Sequence, residues 1–418
     1  MTARIAVLTD FYGFDGSYSL CRVVDDQLNM IPGRKVLIVD NAFPQTGTVW
    51  HRDDIEIRRY PGVPRGNEIK IDATWDSDIE ALRVALEQDI GDIDVILSHD
   101  MIFQPAQLKL HAAALAVANA HPEKKWLHWI HSATSSFARE HKRIVGGSFP
   151  NYKIVFPNQY DAPRVAECYG VAVSDVAFVP HATDPLTFLM SHPLSRELAT
   201  EIDLLEADVI GCYPARLDQG KQVEIGIEIF HQIKRTGRQV RYIIFDFHST
   251  GGDKVQVRNN LIELCKSLHL EVGKEVVFTS QWRKETQLEC PRQMVRDIML
   301  VGDVLIQPSR SETYSLVAQE AALCRNLLML NFDFPVFRDI YKGDALYGKF
   351  SSNLDALTGM DGTTETRYAN RADYMQDMAR RIVGQLESNM VLRQFRFRRK
   401  QRNLKAVWRD YLEPLIYG

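Results

Sequence analysis

Long apolar runs are missing from this chain. No stretch approaches the roughly 20 apolar residues that a membrane-spanning helix needs. The opening residues, Met1 to Leu8, turn polar too quickly for a secretory leader, so a cytoplasmic location is expected. Cysteines are few and scattered. Cys21, Cys168, Cys212, Cys265, Cys290 and Cys324 include no Cys-x-x-Cys pair, which reads as reduced, packed thiols rather than a disulfide framework. An excess of positive charge is missing too. With 50 Lys and Arg against 54 Asp and Glu, the net charge is −4, so no global field favours nucleic acid or anionic lipid and any such partner needs a local patch. There is no internal repeat and no low-complexity tract.

What is present is an α/β alternation long enough for two domains, in a chain of 418 residues with ordinary hydrophobic (45%) and charged (25%) content. Ile5 to Asp10 reads as a buried strand, and Phe11 to Ser19 as a loop carrying Gly13 and Gly16. A helix through Val23, Val24 and Leu28 follows, then a strand over Lys35 to Asp40. This is a Rossmann-like opening, although its glycines are too sparse for a dinucleotide fingerprint. Strands continue at Asp94 to Ser98, ending in His99-Asp100, and at Lys125 to Ile130, ending in His131. His128 is expected to share the strand face of His131. The first domain is expected over 1–190, with a polar, proline-punctuated linker to about Asp208. A second Rossmann-like domain is expected over 207–400, and an amphipathic helix over Leu404 to Ile416 within a closing segment, 401–418.

One stretch organises the second half. Val304 to Gln307 reads as a buried parallel strand; Pro308 to Thr313 is polar; a helix starts near Ser315. In doubly wound sheets ligands sit at such carboxyl-terminal strand ends. Glu312 falls on the loop. Glu320 falls on the helical row Leu316–Glu320–Cys324, which is otherwise apolar, and a core-facing carboxylate needs hydrogen-bond donors such as sugar or ribose hydroxyls. The amides of Thr313, Tyr314, Ser315 and Leu316 suit a phosphate.

Pro308-Ser309-x-x-Glu312, with Glu320-Ala321 after seven intervening residues, resembles the signature of retaining GT-B glycosyltransferases, the group of glycogen and sucrose synthases and bacterial mannosyltransferases. The resemblance implies two Rossmann-like domains facing a cleft, with a last helix crossing back to the first domain. It implies that Glu312 approaches the donor sugar and that Glu320 holds the ribose. Arg216 and Lys221 match the family's two cations on the donor diphosphate, whose developing charge must be neutralised. His131 matches a strand-end histidine near the sugar; Gly13 and Gly16 match a glycine loop near donor phosphate or acceptor; Trp282 lies where the base is cradled. Departures are Thr313-Tyr314-Ser315 where Gly-Phe-Gly is usual, Ala215 for glycine, and His181-Ala182 for Asn-Gly before Asp184. The implied reaction transfers a sugar from a nucleoside-diphosphate donor, UDP-linked by expectation, to a hydroxyl, with no cofactor and no metal. Asp76-Ser77-Asp78 and Asp92-Ile93-Asp94 read as solvated acids, not metal ligands.

Other readings stay open: a GT-B epimerase or phosphorylase, a non-catalytic nucleotide-sugar-binding module, or a nucleic-acid-binding protein on a Rossmann scaffold. The last draws on a basic run of Arg393, Arg396, Arg398, Arg399, Lys400, Arg402, Lys405 and Arg409, interleaved with Phe395, Phe397 and Trp408. Some relatives of the resembling family glycosylate hydroxymethylated DNA of phages, so this run marks a candidate polyanion acceptor site as well as a solvated helix face.

Overall fold

The computed structural model describes residues 3–9, 19–62, 73–103, 107–131, 149–246, 254–312, 315–350, 358–360 and 365–418. Gly13, Gly16, Thr313 and Tyr314 lie outside these described residues. The chain divides into two compact units, one made of Met1–Thr183 with Arg402–Gly418 and the other of Asp184–Gln401. Among the described residues no helix is long and apolar enough to cross a membrane. All six cysteines are free and buried.

The first unit is built on seven parallel strands: β1 (Ile5–Leu8), β2 (Lys35–Asp40), β3 (Ile55–Tyr60), β4 (Val95–His99), β5 (Lys125–Trp129), β6 (Tyr152–Phe156) and β7 (Val176–Phe178). Their spatial order is β3-β2-β1-β4-β5-β6-β7. The second unit has β8 (Val209–Pro214), β9 (Val240–Phe245), β10 (Val276–Phe278), β11 (Val304–Gln307), β12 (Leu327–Asn331) and β13 (Leu346–Gly348). Their order is β10-β9-β8-β11-β12-β13. Both contain the 3-2-1-4-5-6 order of a Rossmann-like sheet, the first extended by β7, and in each the direction of winding reverses between the first and fourth strands. The sheets are therefore two doubly wound domains, as the alternation predicts.

Strands covered on both faces must be apolar throughout, and β1 (Ile-Ala-Val-Leu) and β8 (Val-Ile-Gly-Cys-Tyr-Pro) are fully buried. Gly211 in β8 is required by a close approach, since a Cβ there would run into the Phe230 ring of helix Val223–Lys234.

The stretch 184–208, expected partly in the first domain (1–190) and partly as a linker, belongs to the second unit. Two helices, Pro185–Leu189 and Pro193–Glu201, occupy this stretch, and Leu198, Ile202 and Leu204 are buried in the core of the second unit. The prolines that suggest a linker stand in the first turn of each helix, where their missing N–H costs nothing. Asp184 caps the first helix by accepting from Leu186 N at 3.0 Å and Thr187 N at 3.2 Å.

The closing segment packs on the first unit, as expected. Val407, Trp408, Leu412 and Ile416 join the core that holds Ile5, Val7 and Val24, and Lys125 Nζ donates to Leu415 O at 3.0 Å. It is not one regular helix. A π-helical turn at Trp408–Leu412 separates Leu404–Val407 from Glu413–Tyr417, next to Pro414, which lacks an N–H for the helical ladder.

The basic run is split between the units and partly internal. Arg399 is 1% exposed. It donates to Val301 O at 2.6 Å and to both carboxylate oxygens of Asp303 at 3.0 and 3.1 Å. Arg396 donates to Asp208 O at 3.0 Å and Lys400 pairs with Asp208. Arg409 pairs with Asp410 at 2.6 Å. Arg399 thus serves the fold at the amino-terminal end of the second sheet, where its buried charge is compensated by Asp303.

Candidate active site

In the second unit the winding reverses between β8 and β11, and the loops leaving these two strands are laced together. Arg310 N donates to Gly220 O at 2.9 Å. The Tyr213 hydroxyl donates to Lys221 O at 3.1 Å and therefore accepts from Ser309 Oγ at 2.8 Å, since a phenol has one proton to give. Across this seam Lys221 Nζ pairs with Glu312 Oε1. Gln307, the last residue of β11, donates from Nε2 to the same oxygen at 3.1 Å and accepts from Ser315 Oγ at 2.8 Å. Ser315 also caps helix Leu316–Leu323 by accepting from Ala318 N at 3.1 Å.

Ser315 has φ 68°, in the left-handed region that favours glycine. It stands where the resembling family writes its second glycine. Holding a serine there costs on the order of 1 kcal/mol or more, and its two hydrogen bonds offset that.

The remaining assignments in this unit fare differently. Arg216 is half-exposed and stays on its own loop, 3.6 Å from Asp218, which also pairs with Lys254. Glu320 does not face the core. The buried face of its helix is Ala318 and Ala321, while Leu316 is 70% exposed and the Glu320 side chain, 34% exposed, pairs with Arg292 at 2.7 Å. Alanine pointing inward lets the helix lie close on the sheet, which turns the longer Leu316–Glu320 row outward. Trp282 is not presented as a base platform. Its indole Nε1 donates to Glu201 at 2.6 Å, and the Arg283 guanidinium lies 4.6 Å above its ring.

In its place at the end of β10 stands Ser280, whose N–H donates to Asp246 Oδ1 at 2.9 Å. Asp246, directly after β9, is buried, and burial pushes its carboxyl up despite the Ser280 bonds that favour the charged form. Asp246 and Gln307 escaped the sequence reading. Their signal is a polar residue at or directly after a fully buried strand.

His131 belongs to the first unit, just past β5, and has a separate set of neighbours. Its backbone N–H donates to Asp100 Oδ1 at 3.0 Å. Its Nε2 lies 2.7 Å from His99 Nδ1, and His99 Nε2 lies 2.7 Å from Gln27 Oε1. His181, itself exposed, stacks on His131 with ring centroids 5.4 Å apart. Burial drives His131 down to about 3, so it is a neutral ring at neutral pH. Asp100 adopts φ 50° and is pushed up to about 6 by burial.

His128 does not share the face of His131, since the two are separated by an odd number of residues on an extended chain. It is buried, 2.8 Å from Ser98 Oγ, with its ring against Phe149. Of the triplet acids, Asp78 pairs with Lys109 at 2.6 Å, Asp92 pairs with Arg58 at 2.7 Å, and Asp94 accepts from Arg4 N at 2.7 Å.

No protein-family model matches the chain, and no curated protein matches it in sequence. Among solved structures it is similar to Anabaena Alr3699/HepE in complex with UDP, at 14% identity over 99% of both chains with a TM-score of 0.35. It is also similar to the sucrose-phosphate synthase of Thermosynechococcus elongatus, at 13% identity over 99% of this chain and 98% of that one, TM-score 0.35. A third is an alpha,alpha-trehalose-phosphate synthase (UDP-forming) from Burkholderia vietnamiensis, at 14% identity over 99% of both chains, TM-score 0.35. The assignment of two Rossmann-like sheets rests on the strand orders, not on these likenesses.

Proposed function

We propose that the chain is a retaining GT-B glycosyltransferase that moves a sugar from a nucleoside-diphosphate donor, UDP-linked by preference, to a hydroxyl acceptor. The observation that carries this reading is the Lys221–Glu312 pair at the winding reversal of the second sheet. There a cation and a carboxylate, set by two different strands, stand beside a helix N-terminus.

In this reading Lys221, Arg216 and the first amides of helix Leu316–Leu323 neutralise the diphosphate. Both bonds to Glu312 fall on Oε1, leaving Oε2 for a sugar hydroxyl. Glu320, on the outer row of the same helix, takes the ribose by exchanging its exposed partner Arg292 for hydroxyl donors. The bond from the anomeric carbon to the leaving phosphate breaks, a bond to the acceptor oxygen forms on the same face, and the acceptor proton passes to the departing phosphate. No covalent protein nucleophile enters. No metal is required where fixed cations meet the diphosphate.

The acceptor is a small or lipid-linked hydroxyl compound rather than hydroxymethylated DNA. Arg399, Arg396 and Lys400 spend their charge on Asp303 and on the carbonyl and carboxylate of Asp208. The test is incubation with a panel of nucleotide sugars and acceptors, read by mass spectrometry, with the anomeric configuration of the product read by NMR. A hexose or pentose mass increment with retained configuration is expected. Inversion would overturn the retaining mechanism, and donor left intact across the panel would overturn the transferase reading.

A further inference from the structure

We propose that Gln27 and His99 are positioning residues that fix the tautomer of His131, so that His131 Nδ1 presents a lone pair to a substrate hydroxyl. That the hydroxyl belongs to a sugar donor or its acceptor rests on the glycosyltransferase reading; the tautomer itself does not.

Gln27 Oε1 only accepts, so His99 Nε2, 2.7 Å away, carries a proton. His99 is completely buried, and burial holds it well below the ordinary histidine range, so its ring is neutral. A neutral imidazole has one N–H, hence His99 Nδ1 is a lone pair. The nitrogen 2.7 Å from it, His131 Nε2, must then donate. The two ring planes differ by 3°, which lets that N–H lie along the in-plane lone pair of His99. His131 is also neutral, and its own remaining nitrogen, Nδ1, is therefore an acceptor.

That acceptor is buried and has no hydrogen-bond partner among the described residues. Leaving a buried acceptor unpaired is destabilising, and a ligand O–H removes the cost. A lone pair repels phosphate and welcomes hydroxyl, so the chain selects the chemistry of what binds.

Its parts come from three places that the fold brings together. Gln27 lies on helix Ser19–Met30 after β1, His99 ends β4, and His131 follows β5. The strands β1, β4 and β5 are neighbours in the sheet, and the winding reverses between β1 and β4. Asp100 adds a further constraint by accepting from the His131 backbone N–H at 3.0 Å.

The experiment uses the full chain labelled with 15N-histidine and free of ligand. Long-range proton–nitrogen correlations report which ring nitrogen carries the proton, and loss of signals in His99→Phe and His131→Phe assigns them. His99 and His131 are expected to be protonated on Nε2 in the unsubstituted protein. Gln27→Leu removes the acceptor and should convert His131 to mixed tautomers. It should also lower kcat about 5- to 10-fold while nucleoside-diphosphate affinity stays within twofold, the loss expected for one misaligned hydrogen bond. Gln27→Glu still accepts from His99 Nε2 and should keep both the tautomer and most of kcat.

His131 protonated on Nδ1 in the unsubstituted protein would overturn the proposal whatever the variants do. So would an unchanged tautomer in folded Gln27→Leu. If the tautomers are as stated but no nucleotide sugar is consumed, the glycosyltransferase reading fails and the hydrogen-bond chain stands.

Discussion

Lys221 and Glu312 form an ion pair although 91 residues separate them. The pair spans the two loops at the winding reversal of the second sheet, and both side chains are largely shielded, with exposures of 19% and 17%. Each therefore neutralises the other until a ligand arrives. A donor diphosphate offers Lys221 a second anion, and a sugar hydroxyl offers Glu312 a donor, so the pair is a preformed contact between the two ends of the proposed donor.

Different steps should suffer when the two are replaced singly. Lys221→Ala is expected to weaken nucleoside-diphosphate binding about 10- to 100-fold, the loss of one charge-assisted contact in a shielded site. Glu312→Gln keeps an acceptor for Lys221, so nucleotide affinity should stay within about threefold while turnover falls about 100-fold or more, as for lost transition-state electrostatics. Calorimetry with the free nucleoside diphosphate, paired with initial rates, separates the two. Equal loss of affinity in both variants would contradict the division of labour.

Glu320 is a half-shielded surface carboxylate paired with Arg292, not a buried one. Exposed pairs of this kind contribute about 0–1 kcal/mol to stability. Glu320→Ala should therefore leave the unfolding midpoint nearly unchanged. Nucleotide binding should nevertheless weaken by about 1–3 kcal/mol if the carboxylate receives ribose hydroxyls. Arg292→Ala, by contrast, should change neither quantity appreciably. A nucleoside diphosphate that binds Glu320→Ala as tightly as the unsubstituted chain would remove the ribose role.

Arg399 and Arg398 are adjacent in the basic run but belong to different physical classes. Arg399 is buried against Asp303, which also accepts from Ile210 N at 2.8 Å. Removing Arg399 strands a buried carboxylate, so Arg399→Ser should destabilise the second unit by about 3–5 kcal/mol. Arg398 lies over Phe397, whose ring is exposed, and Arg398→Ser should cost under about 1 kcal/mol. Urea titrations of the two variants decide this. Equal stabilities would mean that the Arg399–Asp303 pair is not the anchor of this helix.

Much of this architecture is legible without coordinates, for a physical reason. Strands buried on both faces must be unbroken apolar runs, so β1, β8 and β11 announce themselves, and the polar residue after such a run is where a doubly wound sheet exposes its chemistry. Glu312 follows from that logic, whereas Lys221 is singled out only by the family resemblance. Helix faces are less legible, because a row such as Leu316–Glu320–Cys324 looks core-facing until the close packing of Ala318 and Ala321 decides the rotation. Partnerships across the chain are not legible at all. Nothing local connects Gln27 to His99 or Arg399 to Asp303, and only the sheet order makes them neighbours. Pro185 and Pro193 mislead for a different reason, since the residue that ends one helix also starts another.

Metal independence should be read with chelator. In the proposed function Lys221, Arg216 and a helix N-terminus meet the diphosphate, so a divalent cation would duplicate them. Transfer measured with excess EDTA is expected to match transfer without it. Complete loss restored by magnesium or manganese would instead require a metal on the diphosphate.

The first unit should lose stability on mild acidification, and the sign follows from its buried rings. Burial holds His99 well below its ordinary value, takes His111 to about 4, and takes His128 and His131 to about 3. A group whose folded value lies below its unfolded value, 6.5 here, stabilises fully above pH 6.5 and loses that contribution as pH falls toward the folded value. Asp89 and Asp100 act the other way. Burial raises both from 3.8 to about 6, so their contribution is full below about 3.8 and is lost as pH rises through about 6. Between pH 6 and 4 the two acids offset part of what the histidines remove, and below 4 they offset nothing more. Four histidines outweigh two carboxyls, so stability should fall throughout the window, with each unbalanced proton worth about 1.4 kcal/mol per pH unit. His128 is the cleanest probe, because it packs against Phe149 and among the described residues bonds only Ser98. His128→Gln keeps an acceptor for the Ser98 hydroxyl and cannot titrate. Its stability, measured by urea titration from pH 7 to pH 4, should fall less steeply than that of the unsubstituted chain by about one proton. An identical slope would mean that His128 already carries its proton in the folded state.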